Sequence, residues 1–243
     1  MSYNIHKGFN FGNKKFTLNE IRKSIQSVNA DLVFLQEVQG ENHTKSALHH
    51  EWPQCSHFEY LADKIWPHYA YGKNAVYPDG HHGNAILSKF PIESWQNFDI
   101  STNKLERRGA LLARLTIPGM SKPVDCVSLH LNLTKSGRTA QMQRLTAILN
   151  EHAPKTEILI IGGDFNDWSL KICREMELKL KIKEAYKSLH GSLPRTFPSD
   201  FPILKLDRIY FRGVEVKDAR IIKEKKNSSD HLALFAEFNV KIQ

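Results

Sequence analysis

Cysteine is scarce in this sequence. Cys55, Cys126 and Cys173 are scattered and odd in number, which speaks against a disulfide framework. Zinc-ligand spacing is missing as well: His49–His50 and His81–His82 are adjacent rather than three or four residues apart, so no close Cys or His pair suits a tetrahedral zinc site. No apolar run approaches the roughly 20 residues that a membrane-spanning helix requires. The opening stretch MSYNIHKGFNFGNKKF has no hydrophobic segment like that of a signal peptide. Internal repeats, low-complexity linkers and long Pro/Gly/Ser stretches are also lacking. Nothing therefore divides the 243 residues, and the expectation is one domain over residues 1–243, cytoplasmic and monomeric.

What is present is an ordinary globular balance, 41% hydrophobic and 25% charged, sufficient for a buried core. The formal charge of +8 favours polyanionic partners: nucleic acid, anionic lipid surfaces or phosphorylated small molecules. The alternative is a basic surface that serves solubility alone. The excess gathers in residues 136–144 and 220–231. Lys223, Lys225 and Lys226 lie within eight residues of His231 and are expected on the rim of the site that His231 joins.

Helical periodicity is confined to a few segments. Thr17 and Glu20 have the spacing of a capping box, ahead of Leu18, Ile21, Ile25 and Val28 on one face. Met142, Leu145, Ile148 and Leu149 repeat the pattern, and residues 56–66 and 168–178 carry weaker versions. Strand signals are more numerous: 31–38, 84–92, 110–117, 124–133, 157–163, 206–211 and 231–240 are short, rich in Val, Ile, Leu or Phe, and bounded by Gly, Pro, Asn or Asp. Successive strands with no helix between them, such as 110–117 and 124–133, predict antiparallel pairs. Two β-rich halves, each with a couple of helices, predict two packed sheets with helices outside.

The polar residues that end these strands form a pattern. In EILIIGGDFNDW an apolar run stops at two glycines, and Asp164 and Asn166 follow. Asn4 lies in SYNIH, Glu37 in LQEV, His130 and Asn132 in SLHLN, Asp207 in LDRIY, and Asp230 and His231 in SDH. Singly, each is explained as a turn former or surface group. Together they are carboxylates, amides and imidazoles at strand ends from residue 4 to residue 231. Oxygen donors of this kind suit Mg²⁺ or Mn²⁺, and imidazoles suit proton transfer.

The segments YNIH, LQEV, GNAILSKFPI, SLHLN, GGDFN, LDRIY and SDH, in this order, resemble the endonuclease/exonuclease/phosphatase (DNase I-like) superfamily, and most of all a bacterial stand-alone branch. The resemblance spans Tyr3 to His231. It implies a four-layer α/β sandwich, with two mixed, mostly antiparallel sheets face to face and helices outside. It further implies Glu37 as the principal Mg²⁺ (or Mn²⁺) ligand, with Asn4 and Asp230 on the metal side. By the same resemblance Asp164 would handle the water or leaving-group proton, Asn166 would donate to the phosphate, and His231 would pair with Asp207. His130 stands where DNase-like and sphingomyelinase-like branches have histidine and abasic-site endonucleases have tyrosine. Arg108, Asn132 and Asn84 are carried over as phosphate contacts. The implied activity is that of a divalent-metal-dependent phosphoesterase, a phosphodiesterase on nucleic acid or another phosphodiester. The alternatives are a phospholipid head-group or inositol-phosphate hydrolase and, from another class, a catalytically inactive polyanion-binding module.

Overall fold

The computed structural model describes residues 1–153, 158–223 and 228–240, apart from the side chains of Lys171 and Cys173. The first sheet has the strand order β11-β12-β1-β2-β4-β3. Its strands are β1 (Ser2–Asn4), β2 (Leu32–Asn42), β3 (His68–Tyr77), β4 (Gly80–Ser88), β11 (Glu215–Ile222) and β12 (Ala233–Asn239). The second has the order β5-β6-β7-β8-β10-β9, from β5 (Ile92–Asp99), β6 (Gly109–Leu115), β7 (Val124–His130), β8 (Ile158–Asp164), β9 (Lys183–Glu184) and β10 (Asp207–Arg212). Each sheet has one central parallel pair, β1–β2 and β7–β8, and is otherwise antiparallel. The predicted pairing of 110–117 with 124–133 is the antiparallel β6–β7 ladder.

The central strands are apolar on both faces because both faces are buried. Phe34, Ile86, Leu111, Ala113, Cys126, Ile160 and Ile209 point between the sheets and form one core. On the outer face of the first sheet, Tyr3, Val33, Leu35 and Leu87 pack with Leu18, Ile21 and Ile25 of α1 (Leu18–Val28) and Leu61 of α3 (His57–Ala62). On the outer face of the second, Val127, Leu129, Leu159 and Ile161 pack with Leu145 and Leu149 of α4 (Lys135–His152) and Ile172 and Met176 of α5 (Lys171–Leu180). Each such side chain, fully buried, contributes roughly 1.5–3 kcal/mol. The chain is thus four layers, helices–sheet–sheet–helices. Among the described residues no helix is long and apolar enough to cross a membrane.

Two local expectations change. Thr17 is the N-cap of α1, but its side chain makes no cap bond. Its hydroxyl instead donates to Gly8 O (3.3 Å) and Ser228 O (2.5 Å), joining the helix start to the end of the chain, so the capping box with Glu20 does not form. The capping box occurs on α3, where Ser56 and Glu59 satisfy each other's backbone N–H. Sequence periodicity also misses β3, β5 and β11, along with the six-residue helices α2 (His43–Leu48) and α6 (Ala185–His190). These three strands are partly exposed edge strands, so their composition lacks the continuous apolar run of the central ones. The two glycines of GGDFN have steric reasons. A Cβ on Gly162 would stand 2.7 Å from the Phe34 ring of the facing sheet, and one on Gly163 would stand 2.2 Å from Leu129 O.

Candidate active site

Strand register brings the polar strand ends together. In the parallel β7–β8 pair His130 lies opposite Asp164, and in the antiparallel β8–β10 pair Asp164 lies opposite Asp207. Asn4 ends β1 opposite Gln36 of β2, with Glu37 next in the chain. β12 runs antiparallel to β1, with Ser2 opposite Leu234, so the residues before β12 return to the Asn4 end. Ser229 secures that return by donating to Asn4 O (2.7 Å).

Asp164 Oδ2 is the point of convergence. It accepts a hydrogen bond from Asn4 Nδ2 (3.1 Å), and it lies 3.4 Å from His130 Nε2 and 3.7 Å from His231 Nε2. Its other oxygen accepts from Asn166 N (3.0 Å). Asn166 adopts a left-handed backbone (φ 48°), a conformation Asn tolerates, and its amide donates to Leu131 O (2.9 Å). Burial and the neighbouring Asp207 push the Asp164 carboxyl up to about 6, against the lowering pull of His231 and the Asn166 and Asn4 bonds.

On the far side of His231, Nδ1 meets Asp207 Oδ2 at 2.7 Å, and Thr196 Oγ1 donates to the same oxygen (2.5 Å). Burial opposes the charged imidazole, but Asp207, Asp164 and Asp230 outweigh it and raise His231 to about 10. It is therefore an imidazolium at neutral pH. His130 is held in the opposite state: burial and Arg108 keep its pKa well below the ordinary histidine range. The Phe197 ring packs on His231 with centroids 4.9 Å apart. Thr196 and Phe197 belong to the loop before β10, and neither is among the site residues expected from the sequence.

Glu37 sits at a break in the β2–β4 register between Leu35 and Val38, with φ 54°. The bulge re-aims its side chain. Burial would raise its carboxyl, but Lys7, His130, His6 and His82 hold it far below the usual carboxylate range. Lys7 Nζ stands 3.2 Å from Glu37 Oε2, a buried oxygen that accepts no hydrogen bond from the other described residues. His6 Nδ1 stands 3.7 Å from Asp230 Oδ1, whose carboxyl is raised by burial and by Glu37. His6, Lys7 and His82 thus join the site. The signal for the first two was their place directly after Asn4 in YNIHK; His82 had none.

The remaining expected residues divide. Arg108 donates to Glu106 (2.9 Å) and is felt electrostatically by His130 and His82, so it faces the cleft. Asn84 donates to Gly109 O (3.0 Å) and Ser128 O (3.3 Å) of the facing sheet. Asn132 donates to Thr102 Oγ1 (2.7 Å) and accepts from Gln141 Nε2 (2.6 Å). Both amides are spent on holding the sheets and loops. Lys223 is exposed, and Lys225 and Lys226 lie outside the described residues.

Two donor sets could take a metal. Asp164, Asp207 and His231 bring ligand atoms within 4.8 Å of one another. Those atoms are committed, however: Asp207 Oδ2 already receives His231 Nδ1 and Thr196 Oγ1, bonds a cation would have to break. The Glu37 side fits better: among the described residues its buried Oε2 accepts no hydrogen bond and meets only the Lys7 ammonium, a contact that a hard cation can replace.

Comparison with known proteins identifies the family. The model of the endonuclease/exonuclease/phosphatase family matches residues 1–231. YbhP of Escherichia coli is 42% identical over 243 residues, covering 99% of this chain and 95% of its own. TDP2 of D. rerio, complexed with single-strand DNA product, superposes with a TM-score of 0.71 at 19% identity, covering 98% of this chain and 97% of that one. A mannosyl-6-phosphatase of Bacteroides thetaiotaomicron superposes with a TM-score of 0.70 at 16% identity, covering 98% of each chain. At such identities the two solved structures speak for the fold alone. The family match over residues 1–231 carries the assignment: the chain belongs to the endonuclease/exonuclease/phosphatase family, whose members hydrolyse phosphoester bonds.

Proposed function

We propose that the protein is a divalent-metal-dependent phosphodiesterase. The observation that carries the reading is the convergence on Asp164 Oδ2 of the Asn4 amide and the His130 and His231 imidazoles, brought together from both sheets. Asp164, raised to about 6, is ionised enough at neutral pH to accept a proton from an attacking water and basic enough to do so usefully. His231, fixed by Asp207, presents a positive N–H to a non-bridging phosphate oxygen as charge develops there. Asn4 holds the Asp164 carboxylate in place. Neutral His130 supplies a further polar contact at the same oxygen without a competing charge. Glu37 and Asp230 would hold Mg²⁺ or Mn²⁺, which supplies Lewis-acid stabilisation of phosphate charge when bound. The joint presence of base, imidazolium and metal-side carboxylates supports an enzyme over an inactive polyanion-binding module.

The net charge of +8 and the structural neighbour bound to DNA favour nucleic acid as substrate; the neighbour that is a sugar phosphatase keeps soluble phosphoesters as the second reading. The test is an activity panel of purified protein with Mn²⁺ over plasmid DNA, RNA, phosphoinositides, sphingomyelin and simple phosphodiesters. Binding of DNA against salt by a Glu37→Gln variant adds the discriminating slope, about −0.9 per phosphate contacted. A flat slope on DNA and RNA moves the substrate to lipid or small-molecule phosphodiesters.

A further inference from the structure

The turn directly after Asn4 is unusual. His6, Lys7 and Gly8 all have left-handed backbones, with φ of 43°, 56° and 82°, and the first two are not glycine. Non-glycine residues persist in this region only where surrounding contacts over-determine them, and such strain clusters at functional sites. Here specific contacts hold the turn. Asn4 Oδ1 accepts from His6 N (3.1 Å), Thr17 N donates to Gly8 O (2.8 Å), and Thr17 Oγ1 ties the turn to Ser228 O (2.5 Å). The turn aims its two side chains at the two carboxylates of the metal side: His6 at Asp230 (3.7 Å) and Lys7 at Glu37 (3.2 Å). Glu37 carries a left-handed backbone of its own, so strained segments stand on both sides of the Lys7–Glu37 pair.

An ordinary partly exposed ion pair returns little stability, and a strained turn is a poor way to obtain one. We propose that Lys7 is an internal counter-ion that occupies the Glu37 carboxylate in the metal-free protein and is displaced when the divalent cation binds. This rests on the reading of Glu37 as a metal ligand. In the described structure Lys7 is the ion-pair partner of Glu37. Lys45, the nearby lysine on α2, lies over the Phe9 ring at 4.2 Å instead. The ammonium compensates a carboxylate whose Oε2 is buried, and the metal must compete with it for the same oxygen. Lys7 therefore lowers metal affinity, setting a threshold for loading the site. Once displaced, its charge remains beside the site, free to meet an anionic phosphate.

The experiment is Mn²⁺ titration by calorimetry, with no substrate present, of wild type, Lys7→Met, Lys7→Arg and Glu37→Gln. Lys7→Met should bind Mn²⁺ about tenfold more tightly than wild type and show a larger rise in Tm on Mn²⁺ addition. Lys7→Arg, which keeps the charge, should stay within about twofold of wild type. If Lys7→Met does not fold, Lys7→Asn replaces it, since Asn accepts a left-handed backbone. Unchanged or weaker Mn²⁺ binding in the uncharged variant, with binding abolished in Glu37→Gln, overturns the role of Lys7 and leaves the metal site standing. Equal Mn²⁺ binding in wild type and Glu37→Gln overturns the metal assignment itself, and the inference with it.

Discussion

Asp207→Asn tests the electrostatics of the site most directly. The change keeps shape and removes the carboxylate charge that holds His231 through Nδ1 at 2.7 Å. His231 is raised from 6.5 to about 10, which corresponds to about 5 kcal/mol of preference for the imidazolium. Asp207 is the foremost of the groups that raise it, and burial, which lowers it, is larger than any single one of them. Without Asp207 the balance tips, and the pKa should fall to the ordinary histidine value or lower. At pH 8 a group of pKa 6.5 is imidazolium in only about one molecule in thirty. The amide also cannot fix the ring in the same tautomer, so the expected loss at pH 8 is at least about 10²-fold. The assay is kcat/KM for a simple nitrophenyl phosphodiester with Mn²⁺ across pH 5 to pH 10.5. In wild type the acid limb follows ionisation of Asp164 near 6, and the alkaline limb follows deprotonation of His231 near 10. A group raised in the folded protein keeps its charged form up to the raised pKa, so removing the cause must shift the alkaline limb toward lower pH. An alkaline limb that stays in place in Asp207→Asn would refute the imidazolium role.

Three further outcomes follow from the same geometry. Glu37→Gln should abolish Mn²⁺ activation while circular dichroism and cooperative unfolding persist; full activity with the wild-type metal response would remove Glu37 from the site. Asp164→Asn and His231→Ala should each cost at least about 10²-fold in kcat, and the double variant much less than the product because the two act in one transition state; multiplicative losses would show independent action. Away from the site, Glu184 is buried and accepts from Lys187 N (2.6 Å) at the start of α6, and burial raises it from 4.5 to about 7. The stability contributed by its neutral form is complete below 4.5 and lost as pH rises through about 7. Glu184→Gln should therefore be more stable than wild type by about 1–2 kcal/mol at pH 8 and no more stable at pH 5, as read by urea unfolding; equal stability at pH 8 would contradict the raised pKa.

The sequence by itself determined the central strands. The strands within residues 31–38, 124–133 and 158–163 are largely apolar on both faces because helices cover one side and the other sheet covers the second, and that demand is written in consecutive residues. It also offered candidates for the site, since Asp164, Asn166, Asp207 and His231 each interrupt or border a strand. What it could not show is which inventory members work together. Asn132 and Asn166 look alike in the sequence, yet Gln141 and Thr102 occupy the first, while the backbone N–H of the second donates to the Asp164 carboxylate. Thr17 carries the local spacing of a capping box, but a contact with Ser228, distant in sequence, takes its hydroxyl. Glu37 and Lys7 are separated by thirty residues of chain and meet only because a bulge in β2 and a left-handed turn after β1 face each other. Periodicity reports burial along one segment. Charge pairing, pKa and the aim of a side chain depend on what other segments bring to it, and only the tertiary structure decides that.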